Sequence, residues 1–411
     1  MNAVTSTKRQ RVVLVVTIAT SLVALCPGPA AARDGSVAEE VQSAQASDTL
    51  ALADSITFSD PMPFSPKGGS RGTGDFDGDG HLDLVSLSED AITVLAGDGT
   101  GHLKPVLTIP PADRGIVRVG DVDGDGDPDL VVLNAVTRAE QLSVYLGDPG
   151  YGFSDPWVID LPNRVPSGFQ LADLDADGDL DAAIGVESSN PRLLLLDNPG
   201  DGRFDTRLQI AVKTQDVAVG DLDADGLADI VVQATSRRYL VLINEGDWAF
   251  EDPAELTMGE RSFRFELGDL DGDGRMDLWA DGLFTEDNLL LVRYGRGDGT
   301  FKPPRAYLTV GGSHRAIMLT DDRRPDLLSH GDDYLVVQRG RPGRTFGEAK
   351  ILDLRPYDFA TETPDFNDDG LADVVIVDDP PPPTGDPSAV EAAVLINTTG
   401  TSASRRGESN P

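Results

Sequence analysis

Six short stretches of this 411-residue chain space aspartates so that one cation could be gripped by several oxygens at once. The clearest is Asp121-Val-Asp123-Gly-Asp125-Gly-Asp127-Pro-Asp129, and others begin at Asp75, Asp173, Asp221, Asp269 and Asp365. Carboxylates at positions 1, 3, 5 and 9, joined by the backbone carbonyl of position 7, put five or six hard oxygens into one tight loop. Ca²⁺ takes such oxygens at about 2.3–2.6 Å in flexible geometry. Glycine at position 6 permits the bend that brings 5, 7 and 9 back round the ion. Without a cation the carboxylates would repel one another. Asp and Gly are also ordinary turn formers, and a single copy could be only an acidic turn. Six copies at near-constant spacing are poorly explained that way. The loop is not an EF-hand: position 12 is Ser86, Val132 or Ile184 instead of a bidentate Glu, and a β-rich apolar run follows where that motif has a helix.

The elements that must hold these loops are short and extended. Around the second copy the pattern predicts strands at Gly115-Ile-Val-Arg-Val119, Leu130-Val-Val-Leu133 and Leu142-Ser-Val-Tyr-Leu146, with another after Phe153. A second marker recurs, a Gly-rich turn closing on an aromatic, as in Tyr294-Gly-Arg-Gly-Asp-Gly-Thr-Phe301. With that residue as a ruler, units begin at Phe58, Leu103, Phe153, Phe204, Phe250, Phe301 and Phe346, spaced 45, 50, 51, 46, 51 and 45 residues apart. Seven units of four short strands at this period fit propeller blades. The last unit runs through Ala393-Val-Leu-Ile396 and stops before its aromatic strand, whereas Ser55-Ile-Thr-Phe58-Ser-Asp-Pro61 precedes any complete unit. The expected fold is all-β: one seven-bladed β-propeller over residues 55–399, closed by that N-terminal strand, which removes the open edges.

The pairing of Asp-x-Asp-x-Asp-Gly-x-x-Asp-Leu-Val with Gly-x-Gly-Asp-Gly-Thr-Phe resembles the FG-GAP or VCBS repeat of secreted bacterial proteins, which is related to the head of the integrin α-subunit. The resemblance spans about residues 55–399. It implies a propeller whose calcium loops join strands within blades and serve structure. Residue by residue it implies metal ligands at Asp75, Asp77, Asp79, the His81 carbonyl and Asp83; at Asp121, Asp123, Asp125, Asp127 and Asp129; and at Asp173, Asp175, Asp177, Asp179 and Asp181. It further implies Asp221, Asp223, Asp225, Leu227 and Asp229; Asp269, Asp271, Asp273, Arg275 and Asp277; and Asp365, Asn367, Asp369, Leu371 and Asp373. Position-7 residues contribute through the backbone carbonyl. Asn367 keeps an oxygen but loses a charge, so weaker binding is expected there. The sixth unit departs from the pattern. Aligned on Asp326, its first Asp is Met318 and its Gly is Arg323, so no metal is expected; Arg323 or Arg324 either neutralises the remaining acids or faces water.

Composition agrees with ligand chemistry. The chain has 70 acidic and 34 basic residues, a formal charge of −36. Residues 1–32 are expected to be a secretory signal, with basic Lys8-Arg-Gln-Arg11, an apolar stretch from Val12 to Leu25 too short for an ordinary membrane span, and Ala30-Ala-Ala32 at the cleavage site. A retained anchor and lipidation of Cys26 are the alternatives. Cleavage would leave 31 basic residues against 70 acidic, a charge of −39, and no cysteine. That balance argues against nucleic acid and anionic membranes as partners. Six Ca²⁺ would return +12. A secreted chain without disulfides needs another cross-link, and a metal that binds only the folded state can supply it. Residues 33–54 are expected to be a disordered linker and 400–411 a disordered tail. The mature protein is expected outside the cytoplasm, extracellular or periplasmic, with no membrane span and as a monomer.

The motifs of an enzyme are missing. None of the four histidines, His81, His102, His314 and His330, sits in a recognisable catalytic motif, there is no Gly-x-Ser-x-Gly, and most paired acids belong to the calcium loops. The expected role is a binding or adhesion module for a protein or carbohydrate ligand. A propeller-based lyase or hydrolase and a purely structural surface module are the alternatives. Variable loops at Asn134–Gln141, Glu187–Arg192, Asp281–Asn288 and Asp378–Ser388 are candidate ligand contacts. Trp157, Trp248 and Tyr151 either stack a sugar or pack between blades; Trp279, following a calcium loop, is expected in the core. Arg296-Gly297-Asp298 lies in the repeat's own turn and is expected to serve that turn. Pro380 to Pro383 is expected to be a rigid spacer.

Overall fold

A computed structural model describes residues 56–65, 70–88, 91–110, 115–134, 141–161, 165–187, 190–282, 288–331, 334–353, 359–377 and 392–399. The signal, linker, polyproline and tail segments, and the interiors of the four variable loops, lie outside them.

Seven four-stranded antiparallel sheets follow one another along the chain. In blade two the strands are Gly115–Gly120, Asp129–Asn134, Gln141–Tyr145 and Trp157–Asp160, numbered from the first to the outermost. First strands of neighbouring blades lie against each other: the Val117 amide hydrogen-bonds Ser70 Oγ, and the Ser167 hydroxyl donates to the Thr214 carbonyl. The seventh sheet is completed from the other end of the chain. Met62–Phe64 pairs with Ala392–Leu395, Met62 opposite Val394. Phe58 bridges Asn397 just as Phe250 pairs with Asn244 and Phe301 with Gly295, and the strand begins four residues after it, as the outer strands of blades four and five begin four residues after those aromatics. The N-terminal segment thus closes the ring in the register of the repeat.

The core sits at the junctions. Seven buried apolar clusters each join two adjacent blades, and the second strands explain why. Successive side chains of a strand point to opposite faces. Leu130 and Val132 pack towards blade one, while Val131 and Leu133 pack towards blade three. All four are wholly buried. A strand covered on both faces reads as a continuous apolar run, which is the pattern of Leu130-Val-Val-Leu133. Trp279 is in the core between blades five and six. Among the described residues no helix is long and apolar enough to cross a membrane.

Candidate metal centres

Each acid loop joins the first strand of its blade to the second, so the loops share one end of the ring. In blade two, Asp121 folds the loop: Oδ1 accepts from the Gly124 and Asp125 amides and Oδ2 from Gly126. Asp125 accepts from the Asp127 amide. The same bonds recur at Asp75, where Gly78, Asp79 and Gly80 donate, and at Asp365, where Asp369 and Gly370 donate. Positive φ at Gly126, 96°, makes the turn at position 6.

Among the described residues, five loops gather three carboxylates with oxygens within 4.8 Å of one another: Asp75, Asp77 and Asp83; Asp121, Asp123 and Asp129; Asp173, Asp175 and Asp181; Asp221, Asp223 and Asp225; and Asp269, Asp271 and Asp273. Two oxygens that share one Ca²⁺ stand no farther apart than about 5 Å, twice the bond length. Asp123 Oδ1 and Asp271 Oδ1 are buried and accept no hydrogen bond. An orphaned carboxylate oxygen inside an acid cluster fits a cation, and the donors are all hard oxygens. Asp79, Asp125, Asp177, Asp229, Asp277 and the Asp365 loop fall outside these sets; Asn367 turns its amide on Asp369 instead. The His81 ring hydrogen-bonds Asp368 of the neighbouring loop through Nδ1.

Position 9 does more than sequence reasoning assigned to it. Asp129 is fully buried; Oδ2 accepts from the Val122 amide and Oδ1 from Gly147, at the end of the third strand. The arrangement repeats at Asp83, Asp181, Asp229, Asp277 and Asp373, and also at Asp326 in the blade without a metal motif. This aspartate staples its loop to the third strand whatever the loop holds. Its persistence in the degenerate sixth unit was the available signal.

Burial pushes Asp129 and Asp229 up to about 6, and Asp181, Asp277 and Asp373 up to about 7, with the neighbouring carboxylates adding to it and the two amide donors opposing it. The folded ion-free chain then binds more protons between pH 4 and 7 than the unfolded chain, so its stability falls as pH rises through that window. Calcium reverses the slope, because protons compete for its ligands. Ion-free protein, prepared by chelation and desalting, should therefore unfold at a higher temperature at pH 5 than at pH 7.5, and calcium-loaded protein at a lower one. Parallel slopes in thermal scans would contradict this.

In blade six Asp322 pairs with Arg339 at 3.1 Å and more loosely with Arg324 at 3.6 Å. Of the two alternatives for these arginines, Arg324 follows the neutralising one, loosely, while Arg339, 17 residues from Asp322, was not foreseen. Tyr151 and Trp248 pack between blades: the Tyr151 hydroxyl reaches Asp83 at 3.4 Å, and Trp248 Nε1 donates to Asp175 at 2.8 Å. Trp157 stays 47 % exposed, with Arg203 over its ring at 5.3 Å. Arg296 and Asp298 both bond within their turn, to Thr300 and Phe301. Sequence reasoning missed a buried series, Asp281 to His314 Nδ1 at 2.5 Å and His314 Nε2 to Thr309 Oγ1 at 2.8 Å. Enclosed between blades five and six, it pins them together.

Repeated acid loops on a ring of seven four-stranded sheets define a β-propeller built from acid-loop repeats. The chain belongs to the family of FG-GAP-like repeat proteins, whose model matches residues 75–132, 121–184, 173–232 and 221–280. No curated protein matches. Among solved structures, an Agrocybe aegerita lectin that recognises non-reducing terminal N-acetylglucosamine is 21% identical, over 69% of this chain and 80% of its own, with a TM-score of 0.52. BBS1N, solved in complex with ARL6DN, is 12% identical over 84% of this chain and 98% of its own, with a TM-score of 0.57. At such identities these likenesses establish the fold alone.

Proposed function

We propose that this is a secreted calcium-stabilised β-propeller that acts as a binding module for a protein or glycan, and that it is not an enzyme. The observation that carries the calcium reading is the recurrence of the carboxylate cluster at the same end of five successive blades, each with hard oxygens at ion-sharing distance. The loops at Asp75, Asp121, Asp173 and Asp221 hold one ion each. The Asp365 loop holds another more weakly, because Asn367 leaves it three carboxylates instead of four. The loop at Asp269 has the same donors and is treated below. In this reading calcium supplies charge neutralisation and a cross-link. The chain's own residues fold each loop and staple it to its blade.

The binding reading rests on architecture. The metal loops occupy one end of the ring, which leaves the connections between second and third strands, where loop length varies, at the other. The lectin that shares the fold recognises a terminal sugar; Trp157, at the metal-loop end of the outermost strand, is 47 % exposed but carries Arg203 over its ring. A glycan array run with calcium and after chelation tests it. Specific binding lost on chelation supports a lectin-like module, and an empty array turns the search to protein partners. Turnover of a polysaccharide would overturn the non-enzymatic reading.

The ions should be independent because the loops are separate. Asp125→Ala should remove one calcium from blade two and leave the rest, counted by native mass spectrometry. Loss of every ion would contradict separate sites.

A further inference from the structure

The loop of blade five differs from the others in what the next blade inserts into it. Between third and fourth strands every described turn places a left-handed residue two positions before the aromatic ruler: Gly101, Tyr151, Gly202, Trp248, Gly299 and Arg344, with φ from 62° to 89°. Glycine adopts this conformation at no steric cost, whereas other residues hold it under strain and persist where the surroundings require them. The three that are not glycine each reach an aspartate of the preceding blade's acid loop. Tyr151 and Trp248 bring neutral donors to loops one and three. Arg344 brings a full charge to loop five.

Its Nε hydrogen-bonds Asp271 and its Nη2 lies 3.3 Å from Asp273, so one guanidinium spans positions 3 and 5 of the loop. The guanidinium carbon stands 4.2 Å from the centre of the Tyr294 ring, and the Arg344 side chain is only 23% exposed. A stacked, bidentate arginine is held on both sides. Arg275, at position 7 of the same loop, adds a second guanidinium on Asp273 at 2.6 Å. Two positive charges therefore sit on two of the carboxylates that a calcium ion would need and equal its charge; on Asp271 the guanidinium takes Oδ2 and leaves the buried Oδ1 without a hydrogen bond.

We infer that Arg344 is a tethered cation that closes the blade-five loop in place of calcium. Arg344 and Ca²⁺ compete for Asp271 and Asp273, and two cations on one carboxylate pair repel. With Arg339 on Asp322 in blade six, the arc from blade five to blade six holds its loops by arginine and stays closed when calcium is removed.

The inference rests on the calcium reading of the other loops, and the test separates the two. Calcium is counted by native mass spectrometry in the full chain, in Arg344→Gly, and in Arg344→Gln, which keeps the stacking atoms but not the charge. Glycine is the residue of blades one, three and five at this position, so the turn itself is not strained by the change. Both variants should bind one ion more than the wild type. Asp269→Asn should leave the wild-type count unchanged and cancel the gain in Arg344→Gly, whereas Asp121→Asn should cost the wild type one ion. Equal counts in wild type and variants, or loss of an ion in the Asp269→Asn wild type, would overturn the inference while leaving calcium in place. No calcium in any of them would overturn the calcium reading itself, and this inference with it.

Discussion

Removing calcium should lower the unfolding temperature by on the order of 15 °C. A ligand that binds only the folded state at 100 times its dissociation constant stabilises by about 2.7 kcal/mol per site. At about 2.1 cal/mol/K of unfolding entropy per residue, each kcal/mol moves the midpoint of a propeller of roughly 345 residues by about 1.4 °C. Four such ions give that shift, and the acid clusters of blades one to four provide four sites. Repulsion among the uncovered carboxylates adds to the loss, since burial already holds several of them well above the ordinary range. Differential scanning calorimetry with calcium and after exhaustive chelation reads the effect. Because junctions between blades carry the core, the loosened protein should unfold in a broader transition. A melting curve that chelation leaves unchanged would mean that the loops are solvated acidic turns.

The second large effect is expected where no metal is proposed. Asp326 in blade six is fully buried and accepts the Leu319 amide at 3.1 Å and the Gly340 amide at 2.9 Å. Asp326→Ala strands both donors away from water. Each unsatisfied buried group costs about 1–3 kcal/mol, so the variant should lose roughly 2–6 kcal/mol. The calcium count should not change, and the loss should be the same with and without chelator. The matching substitution in blade two, Asp129→Ala, removes a staple and a ligand together, so its loss should shrink once calcium is gone. A stable Asp326→Ala protein, or one whose loss depends on calcium, would refute the staple.

What the sequence could disclose followed the range of each interaction. Blade number and period were legible, because each acid loop and each aromatic turn is local, and the four-strand pattern between them alternates as half-buried and buried strands do. Closure was legible in outline. Its register followed the ruler too: Phe58 bridges Asn397 as Phe153 pairs with Gly147 and Phe346 with Gly340, and the outer strand starts four residues later in each, at Met62, Trp157 and Lys350. The acid clusters were legible from spacing alone. The double role of position 9 was not, since a carboxylate that ligates and one that accepts backbone amides carry the same letter. Arg344 lies 73 residues from Asp271, and His314 lies 33 from Asp281. Such contacts arise only when neighbouring blades pack, and no local pattern announces them. The degenerate sixth loop was legible as degenerate, but the guanidinium that answers Asp322 comes from the third strand's end and not only from the adjacent arginines.

The most direct test of the account is a count of calcium in the purified protein by native mass spectrometry, before and after chelation, with the melting temperature measured on the same samples. The account predicts five ions, at Asp75, Asp121, Asp173, Asp221 and Asp365, all removed by chelation together with a large fall in melting temperature. Protein that carries no calcium, or that loses it without losing stability, would contradict the claim that these loops hold the ring together.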